Sequence, residues 1–219
     1  MKFINLRILC EGPTEVNFIT QVLKPHLRLR NVFAKPEPLC RGNYGIVSYE
    51  RLRSAIKTDL GRSREHEFVS TMIDLYKIGK YPGTEKMLGE SVINRVRRIE
   101  SGMAEGLPNP RFIPYVQVHE FEALVFVDLD RLANQFPDGE ADGAAQRLKI
   151  EIVDLSPEEI NDGEQTAPSK RLIREVPTYR SLKSVAGPLI AAEVGLANLR
   201  ASCPHFGEWV SKLEMLSDE

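Results

Sequence analysis

The chain has 219 residues, 42% hydrophobic and 27% charged, with 31 acidic residues against 29 basic and a formal net charge of −2. These are the proportions of an ordinary globular protein, and the nearly balanced charge excludes a purely electrostatic, histone-like nucleic-acid binder. The cysteines, Cys10, Cys40 and Cys203, lie too far apart for a paired-cysteine zinc site, and no run reaches the roughly 20 apolar residues that span a bilayer.

A chain of this size buries roughly 70% of its unfolded surface and needs no disulfide staples. The residues Met1 to Asn5 lack the apolar stretch of a signal peptide. The cysteines suit a reducing compartment, so the expected location is the cytoplasm, with Cys10 and Cys40 buried as small hydrophobes.

Residues 3–10 form an apolar run closed by Gly12 and Pro13, which predicts a buried strand and then a helix with Pro13 at its first position. Val16, Phe18, Ile19, Val22 and Leu23 keep helical spacing to about Arg30. A strand near residues 33–40 is limited to a sheet edge by Pro36 and Pro38. Ser48 caps a helix carrying Leu52, Ala55, Ile56 and Leu60 and ending near Gly61. Residues 68–73 predict a central strand, residues 77–83 a basic loop, residues 84–105 a helix and residues 112–118 another strand. This alternation of strand and helix predicts an α/β fold with a mostly parallel sheet flanked by helices. Beyond about Leu129 the pattern turns helical, with expected helices at 130–136, 141–152, 165–175, 188–197 and 206–216. Without a linker or a repeat, residues 1–219 read as a single domain, a core of 1–128 carrying a helical C-terminal layer of 129–219.

Three acidic groups fall where strands end: Glu11 and Glu15 after the first, Asp74 after the 68–73 run, and His119-Glu120-Phe121-Glu122 after the last. Open α/β sheets bind ligands outside the carboxyl ends of their strands. Carboxylates gathered there repel one another unless a cation intervenes. A hard, oxygen-rich donor set suits Mg²⁺ or Mn²⁺ better than Zn²⁺, and His119-Glu120 is not the His-Glu-x-x-His zinc motif because position 123 is Ala. His119 and Glu122 stand at helical i, i+3 spacing. A structural reading stays open for the first group, with Glu15 complementing a helix dipole and Glu11 capping. Asp74 could likewise cap its own loop. Lys170 and Arg171 could bring positive charge to a scissile phosphate, or form a solvated first turn behind a Ser169 cap. The loop Arg41-Gly42-Asn43-Tyr44-Gly45 could hold a phosphate or merely connect.

Taken together, Glu11-Gly12-Pro13-Thr14-Glu15, Arg41-Gly42, the strand ending at Asp74, Pro114 to Leu124, Ile160-Asn161-Asp162-Gly163, Thr166 to Arg171 and Cys203-Pro204-His205-Phe206 resemble the bacterial family known as domain of unknown function 4276. That family is grouped with TOPRIM-like folds, the metal-binding module of topoisomerases, primases and overcoming-lysogenisation-defect nucleases. Its members resemble the nuclease half of a pair with a separate ATPase in phage defence. The resemblance implies that Glu11 and Glu15 match the glutamates after the first strand and that Asp74 matches the first aspartate of an Asp-x-Asp pair. Tyr76 stands where the second aspartate would be, and Glu120 or Glu122 is the expected substitute. Lys170 would correspond to the lysine near the cleaved phosphate.

The expectation is therefore a TOPRIM-like nuclease that uses Mg²⁺ or Mn²⁺ to act on DNA or RNA. Its metal ligands would be Glu11, Glu15, Asp74, Glu120 and Glu122. Its catalytic residues would be Glu11, Asp74 and Lys170, and Arg41, Lys77, Lys80, Lys170 and Arg171 would rim the cleft as the nucleic-acid contacts. No further cofactor and no membrane are expected. The rival is a module that binds a partner ATPase or nucleic acid without catalysis. A phosphotransferase is disfavoured, because no Walker-type glycine loop is present.

Overall fold

Apolar alternation sets the sheet. In the computed structural model, strand β1 (Ile4–Cys10) sends Ile4, Leu6, Ile8 and Cys10 into one core and Leu9 into the other, the period-2 division of a strand covered on both faces. The structure describes residues 2–39, 48–62, 65–85, 87–136, 139–160 and 163–218. Arg41, Cys40 and the expected phosphate loop at 41–45 lie outside them, as do Asn161 and Asp162.

Pro13 opens α1 (Pro13–Phe18), and the helical run continues through one π turn (Ile19–Leu23) into α2 (Lys24–Arg28). The π turn ends two residues before Pro25, whose missing N–H and bulky ring do not suit an uninterrupted α turn. Strand β2 (Val32–Pro38) pairs with β1 at the edge of the sheet, where its two prolines remove no ladder bond from a central strand. Helix α3 (Tyr49–Arg62) starts where expected, with Ser48 Oγ accepting the Arg51 N–H at 3.3 Å. Strand β3 (Glu67–Asp74) then enters beside β1.

Helix α4 (Val92–Gly106) begins eight residues later than its apolar pattern predicts. Gly83 and Gly89 adopt φ values of 76° and 74°, so the preceding segment turns instead of coiling, and Ser91 supplies the N-cap, accepting Asn94 N–H at 3.2 Å. The expected strand over 112–118 is two short strands, β4 (Phe112–Ile113) and β5 (Val116–Gln117), both paired with β3. Pro114 cannot donate to a ladder. The Thr71 hydroxyl fills the gap, accepting the Tyr115 N–H and donating to the Tyr115 carbonyl, each at 2.8 Å.

All four ladders are parallel, in the order β2-β1-β3-β4. Past β5 the chain forms a 3₁₀ helix over Phe121–Val127, so His119 and Glu122 do not share an α-helical face; His119 sits at φ 61° and Glu120 is extended. A 3₁₀ turn (Leu129–Arg131) and α5 (Leu132–Gln135) follow, then α6 (Ala144–Glu151), α7 (Pro168–Glu175), α8 (Tyr179–Val194), α9 (Leu196–Ser202) and α10 (Pro204–Glu214).

The main departure in this half is α8. The sequence pattern starts a helix at Pro188, but the helix begins at Tyr179 and runs through that proline. Its buried residues Tyr179, Ala186, Ile190, Ala191 and Val194 share a core with Ile4, Leu6 and Ile8 of β1. The helical layer thus covers one face of the sheet, while α3 and α4 cover the other around Leu52, Ile56, Val96 and Ile99. Among the described residues, no helix is long and apolar enough to cross a membrane.

Candidate functional site

Parallel pairing aligns the carboxyl ends of the strands, and register does the rest. Cys10 pairs with Met72 and Asp74 with Gln117, so Glu11 leaves β1 beside the last residues of β3. The Glu11 N–H donates to the Met72 carbonyl at 3.1 Å, and Glu11 Oε2 accepts the Asp74 N–H at 3.1 Å. Glu15, at the third position of α1, reaches back to accept the Gly12 N–H at 2.8 Å, a capping bond at a helix N-terminus. Asp74 Oδ1 accepts the Phe121 N–H at 3.0 Å, which ties the end of β3 to the start of the 3₁₀ helix.

Glu11, Glu15 and Asp74 line one cleft of about 310 Å³. Its opposite wall is α8, which contributes Arg180, Ser181, Lys183 and Ser184. Glu120 and Glu122 belong to the same electrostatic cluster but have partners of their own. Both Glu120 oxygens are held by Ser169 at the start of α7, one by its N–H and one by its hydroxyl, each at 3.0 Å. Glu122 is fully buried, with the Lys183 ammonium 3.1 Å from its Oε1 and the Tyr179 hydroxyl donating at 3.3 Å.

Glu11, Glu15, Asp74 and Glu120 bind protons more tightly than usual. Burial pushes Glu15 up to about 7, with the charges of Glu11 and Glu122 adding to it. Burial likewise raises Asp74 well above the carboxylate range, reinforced by Glu15 and Glu11. Glu11 and Glu120 are also raised, first by burial and then by neighbouring carboxylates, Glu120 for Glu11 and Glu122 for Glu120. Lys183 opposes the trend. Burial pulls its ammonium down, but Glu122, Asp74 and Glu120 outweigh that and raise it. Among the described residues, the cleft is lined by more carboxyl groups than by cations, Glu11, Glu15 and Asp74 against Arg180 and Lys183.

The basic residues expected from the sequence lie elsewhere. Lys77 and Lys80 are exposed on the loop after Asp74, with Lys77 Nζ 5.1 Å from the centre of the Tyr76 ring. Lys170 is exposed on the first turn of α7. Arg171 is turned inward, only 6% exposed, where it pairs with Glu151 at 2.5 Å and donates to the Thr166 carbonyl at 2.7 Å. Among the described residues, none of these four lines the cleft. Sequence reasoning missed Lys183 and Arg180 because it began the helix at Pro188. The signal was present: Tyr179, Ala186, Ile190 and Val194 keep helical spacing across the proline.

Fold and site together define a parallel α/β protein with a recessed acidic cleft at the carboxyl ends of its strands. The chain belongs to the family described as a domain of unknown function, DUF4276, whose model matches residues 10–214 and so takes in the whole acidic cluster. No curated protein and no solved structure matches it.

Proposed function

We propose that this protein is a TOPRIM-like, metal-dependent phosphodiesterase acting on DNA or RNA. The observation that carries the reading is the surplus of recessed carboxyl groups at one strand edge, Glu11, Glu15, Asp74 and Glu120, all with raised proton affinity. Such a site either keeps protons or takes up cations.

The donor set fits a hard divalent ion in one particular form. Among the described residues, no three His, Cys, Asp or Glu side chains are arranged to hold a metal ion. Mg²⁺, however, typically keeps several waters and binds through one or two carboxylates. Glu11 and Asp74 would hold the ion, with Glu15 beside them. Glu120 and Glu122, committed to Ser169 and Lys183, would shape the local field from behind. Bound there, Mg²⁺ or Mn²⁺ would supply Lewis-acid stabilisation of a phosphoryl oxygen and a more acidic water. Lys183 brings positive charge into the cleft where negative charge grows in the transition state, the part sequence reasoning assigns to Lys170. The Phe121 and Asp74 N–H groups hold the Asp74 and Glu11 carboxylates in place.

The proposal extends to a phage-defence pair with a separately encoded ATPase, which rests on the family resemblance alone, and to the cytoplasm, which rests on the cysteines. A second reading, a module that binds without catalysis, is favoured by Tyr76. It occupies the place of a second aspartate, and its hydroxyl is buried without a hydrogen-bond partner among the described residues.

The deciding experiment incubates the protein with single- and double-stranded DNA, plasmid and tRNA in Mg²⁺ and Mn²⁺, with and without its gene neighbour's product. Cleavage that stops on chelation supports the phosphodiesterase. Retention of nucleic acid without cleavage, and without any thermal stabilisation by divalent ions, supports the binding module.

A further inference from the structure

The wall of the cleft formed by α8 carries a cation with no carboxylate partner among the described residues. Arg180, Lys183 and Ser184 line the cavity opposite Glu11, Glu15 and Asp74, and residues three and four apart share one helix face. Lys183 is occupied, 3.1 Å from Glu122. Ser181 is occupied too, its hydroxyl donating to the Thr178 carbonyl at 3.0 Å.

Arg180 differs. Its side chain is exposed, and no carboxylate among the described residues pairs with it, although three line the same cleft. Other arginines of this half of the chain, Arg147, Arg171, Arg174 and Arg200, are each ion-paired. The wall is also held in place. Asn17 Nδ2 donates to the Ser184 carbonyl at 2.8 Å, and a side chain at Gly187 would lie 2.9 Å from the Tyr179 hydroxyl and 3.2 Å from Phe121, so α8 sits close against its neighbours there.

We infer that Arg180 and Ser184, beside Lys183, form a phosphate-binding subsite, filled in the phosphodiesterase reading by the backbone of a single nucleic-acid strand. The choice of polymer rests on that reading; the subsite itself rests on α8. A guanidinium fork matches two phosphate oxygens, and the Ser184 hydroxyl one turn on can donate to the same group. A phosphate there would lie between this cationic face and whatever cation the carboxylates take up. The cavity of about 310 Å³ is at the small end of ligand clefts, roughly 300–1,000 Å³, so the backbone of one strand enters it at a time.

The test measures binding of a single-stranded 12-mer, of the same sequence as a blunt duplex, and of inorganic pyrophosphate, all in Ca²⁺, to wild type, Arg180→Ala and Arg180→Lys. Arg180 is exposed and has no ion pair among the described residues, so both variants should fold as wild type. The expected result is a loss of about tenfold for strand and pyrophosphate in Arg180→Ala, a salt slope shallower by about one, and partial recovery in Arg180→Lys. Pyrophosphate binding that weakens in Arg180→Ala while no strand binds would support the subsite and count against the phosphodiesterase. Binding of both ligands by Arg180→Ala at wild-type strength would overturn the subsite and leave that reading standing. A wild type that binds neither would overturn both. A duplex bound as tightly as the strand would overturn the single-strand assignment.

Discussion

Asn17 donates its side-chain amide to the Ser184 carbonyl at 2.8 Å, the carbonyl that Pro188, four residues on, leaves without its helical partner. A proline inside a helix removes one i→i−4 bond, and here the lost donor is replaced from α1. The same contact joins the helix that carries Glu15 to the helix that carries Lys183 and Arg180, so the acidic and basic walls of the cleft share a fastening.

Asn17→Ala should therefore cost about 1–2 kcal/mol, the scale of a lost hydrogen bond to a partly buried group. Pro188→Ala gives Ser184 a helical donor again, so the cost of Asn17→Ala should shrink in the Pro188→Ala background. Urea midpoints for the four proteins of this cycle measure the coupling. Additive effects would show that the amide does not substitute for the missing N–H.

Lys183→Met should destabilise the fold, because it leaves the fully buried Glu122 carboxylate without its cation. Breaking a buried pair costs roughly 3–5 kcal/mol, but the Lys183 side chain is 37% exposed, so solvent screening reduces this to about 1–3 kcal/mol. Adding Glu122→Gln should recover most of the loss, which chemical denaturation would show directly.

The raised carboxyl groups predict an inverted pH dependence in chelator. Glu15 titrates near 7 in the fold, against about 4.3 in an unfolded chain. Between those values the folded protein holds a proton that the unfolded chain has released, so stability falls as pH rises through the window and the penalty is complete above it. Glu11, Asp74 and Glu120 act in the same direction. Glu15→Gln keeps an oxygen for the Gly12 N–H and should flatten the slope between pH 5 and 7, since each pKa unit corresponds to about 1.4 kcal/mol. An unchanged slope in the variant would place the proton elsewhere.

Glu11→Gln separates a metal ligand from a cap. The amide oxygen can still accept the Asp74 N–H, so the fold should persist, and relief of repulsion should raise metal-free stability by about 1 kcal/mol. Cleavage should be lost, along with stabilisation by Mg²⁺. Melting curves of both proteins with and without Mg²⁺ provide the measurement, and equal Mg²⁺-dependent shifts would remove Glu11 from the metal site.

Much of this architecture is legible along the chain because it depends on neighbours in sequence. Alternating apolar residues make β1 and β3, Gly12 and Pro13 turn the first strand into a helix, and βα alternation makes the sheet parallel, which by itself sends Glu11 and Asp74 to one edge. Local patterns fail where a bond is supplied from far away. Pro114 divides a strand because Thr71 can bridge the break, and Pro188 stays inside α8 because Asn17 answers the exposed carbonyl. The choice of cation for the carboxylates lies wholly in the tertiary structure. Glu122 and Lys183 are 61 residues apart in sequence, Arg171 is drawn inward by Glu151, and Arg180 reaches the cleft only through the packing of α8. Charge pairing acts through space at a few ångströms, and only the packing of helices on the sheet brings those groups within that range.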